Sequence, residues 1–229
     1  MENKLIILLG ILIPFSMQSG IRDRLAKVGA ALGIVSSRRV PDKFKPSQAL
    51  LYPHILFHGS PRQDLTMIMP HKLDMRCHGR PIVFASHHIA MASIFMLKHK
   101  GKFACGRLPC GDIFFMTNDK RSCILEDQGG AIYLLPSGSF FCEPYESLGL
   151  DEWISYEAIK PLTKFTFSSA LDAMLSMGVR IYFVDDSTYA RYWRIGSSDT
   201  EWNAFFKPLH YLTREQLARD RLELKIALR

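Results

Sequence analysis

The chain carries no CxxC pair, no His-Glu-x-x-His helix signature and no Gly-x-Ser-x-Gly elbow. The densest local signals for a structural zinc, a zinc hydrolase and a serine hydrolase are therefore missing. Its five cysteines (Cys77, Cys105, Cys110, Cys123 and Cys142) are an odd number, so at least one thiol stays unpaired even in an oxidising compartment, and no disulfide framework is evident. Cys105 and Cys110 flank Gly-Arg-Leu-Pro and could bridge a turn; in a cytosolic chain buried thiols are the expected state. There is no internal repeat, no low-complexity tract and no stretch polar enough to be disordered. Acidic residues are in deficit, 22 against 29 Lys and Arg for a net charge of +7. That balance suits an anionic partner such as a dinucleotide, a nucleic acid or a membrane surface, and selects none of them.

What is present is a globular composition, 48% hydrophobic and 11% aromatic over 229 residues, enough for one well-buried domain with decorations. Residues 1–20 stand apart. Leu5 to Phe15 is an almost unbroken apolar run after Lys4, followed by Ser16, Ser19 and Gly20. This is a signal-peptide outline, too short for a spanning helix of ~20 apolar residues. Glu2, Pro14 and the lack of a small-x-small Ala site argue against export, and a membrane-surface anchor through residues 5–15 is the lesser alternative. The chain is expected to be secreted or exported if this segment is a signal peptide, and cytoplasmic otherwise. Residues 21–49 form a basic lead-in with Arg22, Arg24, Lys27, Arg38, Arg39, Lys43 and Lys45 and a short amphipathic helix at Ile21 to Leu32. A single domain is expected over residues 50–229.

Within that domain, Ile55-Leu56-Phe57-His58 and Pro81 to Ala85 read as strands, and His87 to His99 carries apolar residues at helical spacing. Three apolar runs, Ile113 to Met116, Cys123 to Leu125 and Ala131 to Leu135, are separated by turn residues and predict a β meander. Glu152 to Tyr156 alternates like a strand, and Ile159 to Phe167 continues extended. Ser168 or Ser169 can cap a helix over Ala170 to Met177 that Gly178 closes, before a strand at Val179 to Val184. Thr213 and Gln216 form a capping box for a last helix, Leu217 to Leu228. The expected fold class is α+β, a mainly antiparallel sheet with flanking helices.

The chemistry-bearing pattern is His58-Gly59-Ser60, where an apolar strand ends in a donor-acceptor side chain, a glycine and a hydroxyl. A packed strand fixes the imidazole, the glycine lets a ligand lie against the backbone and the serine adds a donor; an ordinary strand-to-turn exit has the same composition. Two more pieces follow in order: Val83-Phe84-Ala85-Ser86 running into a helix, and Asp151-Glu152-Trp153-Ile154 opening a late strand. This order resembles the ADP-ribosyltransferase fold of the H-Y-E class, which includes the poly-ADP-ribose polymerases and diphtheria-like toxins. The resemblance covers roughly Leu56 to Val184 in loose outline and rests on about a dozen residues. It implies NAD as substrate, held by His58, Gly59 and Ser60 and walled by Phe84 and Ala85, with Glu152 as the catalytic carboxylate and ADP-ribose passed to a protein or nucleic-acid acceptor.

One residue departs from the family pattern. Val83 stands where the family has a tyrosine that packs on nicotinamide. Phe95, in the following helix, could supply the stacking surface or serve as a core residue on an amphipathic face. The Val83 departure and the net charge also fit a non-catalytic module of the same fold that binds an anionic ligand or partner. Arg62, Lys72, Arg76 and Arg80 occupy the stretch between the first two strands, where a loop could meet a diphosphate. His71, Cys77, His78, His87 and His88 crowd together without zinc spacing, so no metal is expected.

Overall fold

The computed structural model describes residues 55–71, 81–98, 101–142, 152–196 and 198–227. The apolar N-terminal segment, the basic lead-in with its expected helix, and Lys72, Arg76, Cys77, His78, Arg80 and Leu228 lie outside the described residues.

Strand β5, Gly130–Pro136, is buried along nearly its whole length, as a strand covered on both faces must be. It pairs antiparallel with β1, Ile55–Ser60, and with β8, Thr163–Phe167. Alternation sends Phe57, Ile132 and Leu134 into one core and Leu56, Ala131, Tyr133 and Leu135 into another. The first core is closed by helix α1, Ile89–Ile94, and helix α3, Ala170–Ser176. The second is closed by a three-stranded sheet of order β2-β7-β6, with β2 at Val83–Ala85, β6 at Phe141–Cys142 and β7 at Trp153–Ser155.

A third sheet joins β3, Phe103–Arg107, to β4, Ile113–Thr117, as a hairpin, and β4 runs parallel to β9, Arg180–Phe183. One face of it carries an aromatic core in which Phe114 and Tyr182 meet Tyr189 and Tyr192 of α4, Asp186–Tyr192, and Phe205 and Phe206 of α5, Asp199–Phe206. The class is α+β with predominantly antiparallel pairing. The expected β meander is not formed. Cys123 to Leu125 belongs to a helix, α2 at Lys120–Leu125, because Asp119 caps it by accepting the Ser122 N–H at 3.1 Å. The run that read as turn chemistry is a helix start, and β4 and β5 consequently sit in different sheets.

The later elements follow their local signals. Ser169 accepts the Asp172 N–H at the start of α3, and Gly178 closes that helix at φ 80°. The capping box is reciprocal: the Thr213 N–H reaches Gln216 Oε1 at 2.8 Å and the Gln216 N–H reaches Thr213 Oγ1 at 3.2 Å. It opens α6, Arg214–Ala227, which buries Leu217. Arg221 of α6 donates to buried Asp127 at 2.7 Å and to Asp172 at 2.8 Å. Asp127 also accepts from Ser169 Oγ and the Ala170 N–H, each at 2.6 Å. Cys105 and Cys110 remain separate thiols, with no bridge across the β3–β4 turn. Among the described residues, no helix is long and apolar enough to cross a membrane.

Candidate functional site

Strands β1 and β2 touch and then separate. Phe57 and Ser86 exchange both backbone hydrogen bonds, at 2.8 and 3.0 Å, while Ile82, at the other end of the same β2 edge, exchanges both of its own with His71, at 2.9 Å each. Between those two bridges the edges stand apart. A cavity of about 630 Å³ occupies the split, large enough for a sizeable ligand.

His58 controls the split. Its Nδ1 lies 2.7 Å from the Phe84 carbonyl oxygen. A carbonyl only accepts, so Nδ1 carries the proton and Nε2 of the neutral ring keeps its lone pair as an acceptor. Burial pushes the His58 imidazole below its ordinary value; the bond to Phe84 opposes that shift and the neighbouring His71 adds to it. The ring is thus held neutral, in one tautomer, at the cavity wall.

Gly59 follows with the opposite orientation. Because Phe57 bonds to Ser86, strand parity turns the Gly59 N–H and C=O to the same edge, away from β5 and into the split. The missing side chain serves a different purpose from the expected one. A Cβ on Gly59 would overlap the carbonyl oxygen of Ala92 in α1, so the glycine lets the helix, rather than a ligand, pack against the strand. The part of Gly59 that faces the cavity is its backbone edge. Ser60 is buried, and its Oγ accepts the Arg62 N–H at 3.2 Å.

On the opposite wall Phe84 turns its carbonyl toward His58, while its side chain packs against Ile82 and Ile154. Ala85 is buried and faces the core between the sheets. Glu152 directly precedes β7. The β2–β7 register pairs Ala85 with Trp153, so one further step sets Glu152 beside Ser86, at the point where the strands part. Helix α1 is shorter than the apolar spacing suggests, ending at Ile94 with Phe95 as its C-cap. Phe95 is 44% exposed and lines the cavity rather than joining the core. Val83, at the family's tyrosine position, is buried with Leu56 and Ala85 and offers only an aliphatic surface to the cavity.

All seven residues singled out from the sequence, His58, Gly59, Ser60, Phe84, Ala85, Phe95 and Glu152, line this one cavity. So do Met69, His71 and Phe103, which the sequence reading does not single out for this site. His71 arrives through its pairing with Ile82, Phe103 through the β3–β4 hairpin, and Met69 beside the Ile68–Ile159 bridge, and no local pattern marks them. His88 is drawn elsewhere, to Arg107, and His87 packs edge-on against Trp153 at 4.9 Å. Among the described residues, no group of three His, Cys, Asp or Glu is placed to hold a metal ion. Comparison with family profiles, with curated proteins and with solved structures finds no match to this chain.

Proposed function

We propose that this chain binds NAD in the split between β1 and β2, cleaves the bond between nicotinamide and ribose, and passes ADP-ribose to a macromolecular acceptor. What supports the reading is convergence. Residues from four separate stretches of sequence, singled out for this chemistry, meet at one cavity with complementary roles available to them. A flat carboxamide has donors and an acceptor in one plane, and the Gly59 backbone edge offers a C=O and an N–H to match them. The Nε2 of neutral His58 can accept from a ribose hydroxyl. Phe95 provides an aromatic face at the mouth, replacing the ring that Val83 lacks.

In the reaction the C–N bond breaks with its electron pair going to the nicotinamide nitrogen, which turns the pyridinium into a neutral leaving group. The sugar develops oxocarbenium character, and the Glu152 carboxylate stabilises that positive charge and orients the incoming hydroxyl or other nucleophile. The nucleophile forms the new bond to the sugar carbon and releases its proton to solvent or to the carboxylate.

The test measures free nicotinamide and NAD binding in the full chain and in Glu152→Gln. Nicotinamide release by the parent, with binding retained but release lowered at least about a hundredfold in the variant, is the expected result. A chain that does not bind NAD by calorimetry refutes the reading. Val83 gives weight to a second reading, a diverged module of the same fold that holds its ligand without turnover; binding by both proteins with release by neither would establish it.

A further inference from the structure

Among the described residues, the cavity offers no cation to one part of a dinucleotide. Its described lining includes imidazoles and a carboxylate but neither lysine nor arginine, whereas the diphosphate of NAD carries two negative charges. The chain leaving Ser60 supplies a cation. Pro61 still lines the cavity, and Arg62 follows on a loop held from both sides. The Tyr133 hydroxyl donates to the Arg62 carbonyl at 2.9 Å and accepts from the Leu65 N–H at 3.0 Å. Ser60 Oγ takes the Arg62 N–H, and Lys164 of β8 donates to the Gln63 carbonyl.

On this fixed frame the Arg62 side chain stays in solvent. Its guanidinium fork is filled by Asp64, with Nε to Oδ1 at 3.2 Å and Nη2 to Oδ2 at 3.1 Å. The two side chains are 66% and 73% exposed, a setting in which an ion pair holds weakly and opens readily. A planar pair of carboxylate oxygens presents to a guanidinium the same two-point geometry as two phosphate oxygens.

Building on the NAD reading, we infer that Arg62 is the phosphate-contacting residue of this site and that Asp64 holds its fork until a diphosphate displaces it. The site thereby selects diphosphate-bearing nicotinamide nucleotides over the neutral-tailed nucleoside, and Asp64 sets how tightly they are held. The two residues should act with opposite signs on one ligand and not at all on the other.

The experiment is calorimetric titration of the full chain, Arg62→Gln and Asp64→Asn with NAD and with nicotinamide riboside, which has no phosphate. Arg62→Gln is expected to weaken NAD about tenfold, the loss of one charge-assisted contact, and to leave the riboside unchanged. Asp64→Asn is expected to tighten NAD severalfold. Both side chains are exposed, so thermal melts should coincide with the parent. NAD affinity unchanged in Arg62→Gln overturns the inference and leaves the NAD reading standing. An equal loss for both ligands also overturns it, because it would make Arg62 a loop support. A parent chain that binds neither ligand removes the NAD reading itself.

Discussion

The two walls of the cavity are built differently. The β1 wall is a six-residue strand paired over its whole length with β5, packed on both faces, and it carries the two groups to which the NAD proposal gives directional contacts: the His58 lone pair and the Gly59 backbone edge. The facing wall rests on the three residues of β2, and its mouth is formed by partly exposed apolar side chains, Phe95 and Met69. Fixed polar groups sit on the deep ladder and adaptable apolar ones at the rim. A binding site gains from that division, because directional contacts need a rigid frame and stacking contacts tolerate movement.

Substitutions on the two walls should therefore separate. The largest effect is expected for Gly59→Ala, whose new methyl must displace α1 at Ala92. Overpacking of this kind costs ~1–3 kcal/mol, and a chemical melt should show it together with loss of ligand binding. Next is Tyr133→Phe, which strands the Leu65 N–H and the Arg62 carbonyl. A loss of ~1–2 kcal/mol is expected, with weaker NAD binding through the loosened loop.

A pH titration probes the same wall more gently. His58 has a lowered value in the folded chain, so the unfolded chain binds its proton first as pH falls. Stability is then full above the unfolded value of about 6.5 and declines below it. Melting temperature should fall with acid in the parent, and less steeply in His58→Asn. The smallest effect belongs to the rim. Phe95→Leu should change stability by less than ~0.5 kcal/mol while weakening NAD several-fold through lost stacking. A Phe95 variant as destabilised as Gly59→Ala would erase the distinction between the walls.

The same division explains what could be read in the sequence. His58-Gly59-Ser60, the Ser169 cap, Gly178 and the Thr213–Gln216 box are local events, decided within a few residues, and the structure places each where its pattern suggests. β2 is legible as a strand from the short apolar, partly β-branched run Pro81 to Ala85, and β7 from the alternation of Glu152 to Tyr156. What escaped depends on distant partners or on a competing local bond. Cys123 to Leu125 has strand-like composition, yet a single carboxylate at Asp119 turns it into a helix. His71 looks like one histidine among several until Ile82 pairs with it. The close approach of α1 at Gly59 is hidden from the sequence for the same reason, since the atom a side chain there would meet lies 33 residues away.

Helix α6 reaches the cavity without touching it. Arg221 holds Asp127, Asp127 leads through Gln128 into Gly129 and Gly130, and a side chain at Gly130 would run into the carbonyl of Ser60 and the Cβ of Met96. The last helix thus buttresses the floor on which the His58-Gly59-Ser60 strand ends. A shortened chain without it would keep every residue of the cavity and lose the brace behind them.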